Sequence, residues 1–93
     1  MFEWDEKKRK ANLSKHHIDF NAVWDMDFVS AIRQPDLRAN YGEARFVVFG
    51  FIGKRLHCLA HAWRGETIRV ISLRKANARE QRMYEEKTET FDE

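Results

Sequence analysis

Alternating apolar and polar positions are clearest in the middle of the chain, where three extended segments follow one another. We predict strands over residues 45–51, 55–63 and 67–73. The pair Gly53-Lys54 predicts a two-residue hairpin turn, and Arg64-Gly65 predicts a second turn. The middle of the chain therefore predicts an antiparallel sheet.

The residues before this sheet predict one short strand and two helices. Residues 2–4 suit a strand, and Asp5 can cap a polar surface helix that ends at about His16. Asp19 can cap a second, short helix over residues 21–24.

Two further segments flank the predicted sheet. Residues 28–32 are ambiguous, although their apolar and β-branched side chains favour a strand that Pro35 closes. At the other end of the sheet, Asn77 followed by Glu80 resembles a capping box, which predicts a final helix over residues 78–87.

These elements predict an α+β fold in a single domain over residues 1–93. Their order is β-α-α-β-β-β-α, with an antiparallel sheet covered by helices on one side. An extra short strand near Phe28 is left open. Residues 88–93 are predicted to fray.

Pairing the first two central strands across the 53–54 turn sorts their side chains into two faces. One face is apolar enough to be the helix-covered core and carries Val47, Phe49, Phe51, Leu56, Cys58 and Ala60. On the opposite face, where we expect binding, lie Phe46, Val48, His57, Leu59, His61 and Trp63.

The register of the third strand decides which arginine joins that second face. Arg69 and Arg74 are five positions apart, so in a regular strand they point to opposite sides. A two-residue turn places Arg74 with Ile68 and Val70 on the His61 face, whereas a three-residue turn places Arg69 there. We favour Arg74, because a long side chain at a strand end can reach a neighbouring site.

Charge along the chain suggests a polyanionic partner. Residues 1–84 contain 16 Lys and Arg against 10 Asp and Glu, whereas residues 85–93 contain five acids and one lysine. A basic body with a short acidic tail is typical of proteins that contact nucleic acids, and we expect RNA above all.

The sequence also predicts a cytoplasmic protein without membrane contact. No apolar run approaches the roughly 18 residues of a membrane helix, and residues 1–6 lack the features of a signal peptide. The single Cys58 fits a reducing compartment, and we interpret it as a small core side chain.

Several short motifs occur in one order along almost the whole chain. They are Trp4-Asp5-Glu6, Asn12, Lys15-His16, Phe20, Tyr41-Gly42-Glu43-Ala44-Arg45, Gly50, Arg64, the run from Arg69 to Ala76, Arg79-Glu80 and Tyr84. In this order they resemble the BrnT toxins of bacterial type II toxin–antitoxin modules. One departure is His17, where the family pattern has glycine; if this position ends the first helix with positive φ, histidine is tolerated but strained.

The resemblance implies a RelE-like fold and a cytoplasmic endoribonuclease that inhibits translation. It implies a metal-independent mechanism without a cofactor. It also implies a BrnA-like ribbon-helix-helix antitoxin as partner, with the two proteins forming a hetero-oligomer that we expect to be a heterotetramer. Promoter DNA would then be bound only through the antitoxin.

Cleavage of RNA without a metal needs a base for the 2′-hydroxyl proton and cations for the developing phosphorane charge. Guanidinium groups suit the second task, and carboxylates or imidazoles suit the first. The catalytic candidates are Glu43, Arg45, His61, Arg64 and Arg74. The alternative to a catalytic role is a structural one. These arginines would then be solvated strand ends or members of ion pairs, Glu43 would pair with Arg45, and His61 would be a surface strand residue.

A second set of residues could bind RNA without taking part in the chemistry. These candidates are Lys15, His16, Trp63, Arg69, Arg79 and Tyr84. His16 is also a possible proton carrier, Tyr84 could instead pack against the sheet, and Trp63 could support an antitoxin contact. His57 and His61 do not suit one metal ion, because four residues along a strand span about 13 Å.

Two other functions remain open from the residues. One is a non-catalytic RNA-binding module with the same basic face, and the other is a co-repressor subunit that acts only with its antitoxin.

Overall fold

Five strands form one mixed sheet in the computed structural model of the chain, which describes residues 1–89. The strands are β1 (Phe2–Glu3), β2 (Ile32–Pro35), β3 (Arg45–Ile52), β4 (Arg55–Arg64) and β5 (Thr67–Lys75). The helices are α1 (Glu6–His16), a 3₁₀ helix (Phe20–Asp25) and α2 (Ala78–Glu89). The sheet order is β1-β5-β4-β3-β2, and β1 runs parallel to β5 whereas the other neighbours are antiparallel.

The α+β class and the three central strands agree with the prediction, whereas other details differ from it. The sheet is mixed rather than antiparallel. The extra strand that was left open near Phe28 forms later, at β2, which shares only Ile32 with the ambiguous segment and includes Pro35. The second helix is 3₁₀ rather than α, and helices lie on both faces of the sheet. Residues 88–89 belong to α2 rather than to a frayed tail, and residues 90–93 lie outside the described part of the chain.

Capping residues set the helix starts as the sequence predicted. Asp5 accepts hydrogen bonds from the amides of Lys7 and Lys8, at 2.7 and 3.3 Å. At the start of α2, Asn77 Oδ1 accepts from the Glu80 amide at 2.8 Å while Glu80 Oε1 accepts from the Asn77 amide at 2.9 Å. This reciprocal pair satisfies two amides that a helix start leaves without partners.

The register between β3 and β4 is the predicted one. Val47 pairs with Ala60 and Phe49 with Cys58, because the turn after Ile52 contains two residues. Arg45 lies opposite Ala62 at the other end of the hairpin.

A β-bulge in β5 changes the predicted placement of Arg74. The turn between β4 and β5 has two residues, Gly65 and Glu66, one position later than predicted. Val70 pairs with His61 and therefore lies on the His61 face as expected. Between that pair and the next, Ala60 with Ser72, one extra residue of β5 is inserted. The insertion inverts the alternation, and Arg74 pairs with Cys58 on the face away from His61. Arg69 pairs with Ala62 and lies on that same face. Both arginines therefore lie on one face, whereas the prediction placed them on opposite faces.

The two faces of the sheet carry different side chains, and we call them the arginine face and the histidine face. The arginine face carries Arg45, Cys58, Ala60, Ala62, Arg64, Arg69, Ser72 and Arg74. The histidine face carries Val48, Leu59, His61, Trp63, Val70 and Leu73.

Each face has its own hydrophobic core. On the histidine face, Val48, Leu59, Val70 and Leu73 pack with Phe20, Val23 and Met26 from the N-terminal half. On the arginine face, α2 contributes Tyr84 to a cluster with Val47, Phe49, Leu56, Cys58 and Ala76. The face predicted to bind a ligand is therefore the larger core. Cys58 is buried as predicted, and burial raises the pKa of its thiol to about 11.

Asn12 ties α1 to the sheet. Its side-chain amide donates to the carbonyl oxygens of Leu73 and Ile18, at 2.8 and 3.0 Å, while its oxygen accepts from the Leu73 amide at 3.1 Å. The side chain thus pairs with β5 as a neighbouring strand would, at the point where β1 has ended. This contact fixes α1 along the edge of the arginine face.

His17 ends α1 in the left-handed conformation, with φ at 60°. Left-handed backbone is costly for a residue with a Cβ, whereas glycine adopts it freely. We expect His17→Gly to raise the free energy of unfolding by about 0.5–1 kcal/mol in urea titrations. Ala11→Gly, inside the same helix, should instead lower it by about 1 kcal/mol. Equal destabilisation by both variants would show that the helix end carries no strain.

Candidate active site

Glu43 joins two arginines at one end of the arginine face. It lies in the loop before β3, whereas Arg45 begins β3 and Arg64 ends β4. Its carboxylate oxygens lie 3.6 Å from Arg45 Nε and 3.8 Å from Arg64 Nη2. Both distances exceed a hydrogen bond, so the pairs are loose and an incoming phosphate could compete for either guanidinium.

Arg45 is held in place by an aromatic ring rather than by an acid. Its guanidinium carbon lies 4.0 Å from the centre of the Tyr41 ring, a cation–π contact. Its Nε atom is buried and has no hydrogen-bond partner. A ligand oxygen could satisfy this N–H group, since leaving a buried donor unpaired is costly.

Arg69 and Arg45 flank the same small residue. Both pair with Ala62, from opposite sides of β4, so their backbones are about 10 Å apart across two strand spacings. Arg69 Nη1 forms an ion pair with Glu3 Oε2 at 2.8 Å, which links β5 to β1.

Arg74 lies further along β5, opposite Cys58, about 13 Å from the Ala62 row by strand geometry. Glu80 holds its guanidinium with two hydrogen bonds, of 2.7 and 2.9 Å. These bonds raise the pKa of Arg74 and lower the pKa of Glu80. Glu80 also belongs to the capping box of α2, so the start of that helix fixes the position of the Arg74 guanidinium.

A shallow cleft of about 280 Å³ lies between α1 and β5 beside these arginines. Its polar lining comes from Lys8, Asn12, Lys15, His16 and Ser72. Burial lowers the pKa of His16, and the positive charges of Lys15 and Arg74 lower it further. The imidazole is therefore mainly neutral at pH 7 and can accept a proton.

Three residues that line clefts, Lys8, Arg38 and Ser72, were not among the predicted site residues. Lys8 lies four residues before Asn12 and seven before Lys15, a helical spacing that places all three on one side of α1. That periodicity was the available signal. Arg38 and Ser72 gave none, because Arg38 lies in a polar loop and Ser72 reaches this face only through the bulge. Arg38 lines a second cleft, of about 160 Å³, together with Arg74 and Cys58.

The structure does not bring His61 to the arginines. His61 lies on the histidine face and is 1% exposed, and burial lowers its pKa. The predicted grouping of His61 with Arg45 and Arg64 was therefore wrong, because alternate residues of β4 point to opposite faces. Trp63 lies on the histidine face as well, with 44% of its surface exposed.

Tyr84 and Arg79 also lie away from the cleft beside α1. Tyr84 is buried in the second core, where its hydroxyl donates to the Ser30 carbonyl at 2.8 Å and its ring meets Phe51 edge-on. It cannot stack on a base in this position, which favours the packing alternative. Arg79 is exposed in the first turn of α2 and lines a separate cleft of about 260 Å³ with Gln34.

Four arginines thus share one sheet face, but all of them have an acidic neighbour. Glu43 serves Arg45 and Arg64, Glu3 serves Arg69, and Glu80 serves Arg74. The face can bind an RNA backbone only if these carboxylates move away or leave some of the guanidinium N–H donors unpaired. A guanidinium has five N–H donors, so each carboxylate occupies a minority of them.

Within the described residues, no helix is long and apolar enough to cross a membrane. A comparison with curated proteins found no match. The sequence profile of the family described as "Ribonuclease toxin, BrnT, of type II toxin-antitoxin system" matches residues 4–80 of the 93-residue chain. This match spans α1, the whole β2–β5 meander and the capping box that orients Arg74. The chain therefore belongs to the BrnT family of ribonuclease toxins from type II toxin–antitoxin systems.

Proposed function

We propose that this protein is a metal-independent endoribonuclease that cleaves RNA on its arginine face and thereby inhibits translation. The observation that supports it best is the β5 bulge, which adds Arg74 to the face that already carries Arg45, Arg64 and Arg69. Four permanent cations on one sheet face suit a phosphate backbone. A BrnA-like ribbon-helix-helix antitoxin would neutralise it.

The chemistry assigned to the face is attack by a ribose 2′-hydroxyl on the adjacent phosphorus. The 2′-oxygen–phosphorus bond forms and the bond to the 5′-oxygen breaks. The 5′-oxygen takes a proton from solvent water as it leaves, so the products are a 2′,3′-cyclic phosphate and a 5′-hydroxyl end. His16 accepts the 2′-hydroxyl proton, because its pKa is lowered and its imidazole is neutral. Arg74 stabilises the extra charge on the phosphorane, whereas Arg64, about 20 Å further along the face by strand geometry, binds another phosphate of the same RNA. Glu43 positions Arg45 and Arg64, and it is the second candidate for the base.

RNA-binding roles fall to cations around this centre. Lys8 and Lys15 line the cleft beside His16, and Arg69 lies between that cleft and Arg45. Arg79 would contact RNA only if the RNA extends as far as the first turn of α2. Trp63 and Tyr84 have no role in the RNA site, because Trp63 lies on the histidine face and Tyr84 is buried in the core.

Product analysis tests the proposed reaction. Purified protein should cut a single-stranded RNA in excess chelator and leave 2′,3′-cyclic phosphate ends. The same RNA with a deoxyribose at the cleavage position should stay intact there, since it lacks the nucleophile. Tight binding without any cleavage would instead favour the non-catalytic RNA-binding function. Cleavage abolished by chelator would contradict the metal-independent mechanism.

The pH dependence of cleavage should identify His16 as the base. Because burial and nearby cations lower the pKa of His16, the neutral form persists to below pH 6.5. We expect kcat/KM to be constant near pH 7 and to fall about tenfold per pH unit once His16 is protonated. His16→Gln should remove this acidic limb and lower the plateau by about 100-fold. If Glu43→Gln removes the limb and His16→Gln does not, the proton acceptor is Glu43.

Growth assays separate the toxin from a pure co-repressor. Expression of this chain should stop growth, and the ribbon-helix-helix protein encoded beside it should restore growth. We propose a heterotetramer of the two proteins that binds promoter DNA through the antitoxin alone. A chain that leaves growth unaffected but strengthens repression would support the co-repressor function.

A further inference from the structure

An open groove of about 260 Å³ lies on the histidine face, opposite the arginines. Its walls come from the segment before β2 and from β2 to β5, and its lining is Phe28, Ala31, Arg33, Val48, His61, Trp63 and Ile68. Most of these side chains are apolar, and none of them belongs to the proposed RNA site.

The groove continues into an exposed aromatic patch. Phe28 stacks on Phe2 with 5.9 Å between ring centres, and Phe2 meets Trp24 edge-on at 4.8 Å. Trp24 is 62% exposed and Val29 is 98% exposed. Contiguous apolar surface of this kind is typical of a protein-binding site, whereas a monomer normally scatters such residues singly.

Two polar groups in the groove lack partners. His61 Nδ1 is fully buried and has no hydrogen bond. Arg33 is exposed and rests 5.3 Å from the centre of the Phe46 ring, and within residues 1–89 no carboxylate pairs with it. It contrasts with Arg45, Arg64, Arg69 and Arg74, each of which has an acid nearby. The groove therefore offers an apolar floor, one buried hydrogen-bonding atom and one uncompensated positive charge.

We propose that this groove is the docking site of the antitoxin, and that it receives an apolar segment with a carboxylate beside it. A large apolar side chain of that segment fills the space between Phe28 and Trp63. The carboxylate pairs with Arg33. This inference rests on the proposed toxin function for the identity of the partner, and it adds the place and the chemistry of the contact.

The properties of the groove favour this occupant over two others. RNA is a poor fit, because Arg33 is the one cation in the lining and phosphate binding requires several. A second copy of the chain is also a poor fit. In a symmetric dimer the groove would meet itself, and two unpaired Arg33 side chains would face each other.

The location separates docking from catalysis. The groove lies on one face of β4 and the arginines lie on the other, so the sheet itself stands between them. Substitutions in the groove should therefore change antitoxin affinity without changing cleavage of free RNA.

Titration with the purified antitoxin encoded beside this chain tests the proposal. Arg33→Glu should weaken antitoxin binding at least 30-fold, and Phe28→Ser and Trp63→Ser at least tenfold each. Matched controls are Lys54→Glu, an exposed charge reversal at the β3–β4 turn, and Leu37→Ser, an exposed apolar residue 87% accessible in the loop before β3. Both controls should bind within twofold of the unchanged protein. Thermal unfolding of every variant verifies that it is folded.

Binding is measured directly, so the outcome does not depend on whether the chain cleaves RNA. Antitoxin affinity within twofold of wild type in folded Arg33→Glu and Trp63→Ser would overturn the proposal. It would also be overturned if these variants lost RNA affinity while keeping antitoxin affinity. A free-toxin dimer in sedimentation that Arg33→Glu dissociates, with antitoxin binding unchanged, would assign the groove to self-association instead.

Discussion

Arg74→Ala is expected to lower kcat/KM for RNA cleavage by about 100-fold, the usual cost of losing one donor to a developing oxyanion, and Arg64→Ala by about tenfold through the loss of a phosphate contact. Arg64 is the cleaner of the two, because its side chain is 52% exposed and its contact with Glu43 is long. Little stability should be lost with it. Single-turnover cleavage of a labelled RNA is the measurement.

Arg74 needs a second variant because it also supports α2. Arg74→Lys keeps the positive charge but cannot form the double hydrogen bond with Glu80. We expect it to remain folded and to lose at least tenfold in cleavage. Arg82→Ala, on the exposed side of α2, is the control and should cleave at the wild-type rate. Full activity in both Arg64→Ala and Arg74→Ala would show that these arginines do not act on the phosphate.

Asn12→Ala is expected to lower the free energy of unfolding by about 3 kcal/mol. The substitution leaves the Leu73 amide and carbonyl without their partners at a buried point of β5. It also removes the contact that holds α1 beside the arginine face, so cleavage should fall together with stability. Urea denaturation followed by circular dichroism measures the first effect.

Two comparisons identify the cause of that loss. Asn12→Asp preserves the shape and the acceptor but replaces the donor with a buried charge that faces two carbonyl oxygens, so it should destabilise at least as much. Ser14→Ala, exposed on the same helix, should change stability by less than about 0.5 kcal/mol. If Asn12→Ala proved as mild as Ser14→Ala, the link between α1 and β5 would be dispensable.

Local signals were enough to predict most of the elements. Asp5, Asp19 and the pair Asn77 with Glu80 identified the helix starts, because capping depends on side chains within three residues. The two-residue turn after Ile52 fixed the β3–β4 register, which in turn placed Arg45 opposite Ala62. These features depend on neighbours in sequence.

The placement of Arg74 could not be predicted in the same way. A bulge in β5 adds one residue on one strand only, and no glycine or proline marks it in the run from Arg69 to Lys75. Odd spacing between Arg69 and Arg74 pointed to opposite faces, whereas the bulge places them on one. The histidine face, on which the sequence analysis expected binding, is covered in part by Phe20 and Val23.

Tertiary packing also determines whether two polar candidates are exposed or buried. His61 and Tyr84 suggested chemistry from their side chains alone, yet both are buried. Their burial depends on which elements cover each face, and that information lies far away in the chain. Lys8 was within reach of prediction because helical spacing aligns it with Asn12 and Lys15.

Arginine side-chain NMR tests most directly whether the arginine face acts on one RNA backbone. The Nε resonances would be followed while a short RNA, methylated at every 2′-oxygen to prevent cleavage, is added to the protein. We expect Arg45, Arg64, Arg69 and Arg74 to shift together with one dissociation constant, whereas Arg33 and Arg82 stay unchanged. A shift of Arg33 in place of these four, or a shift of only one of them, would contradict a shared phosphate site.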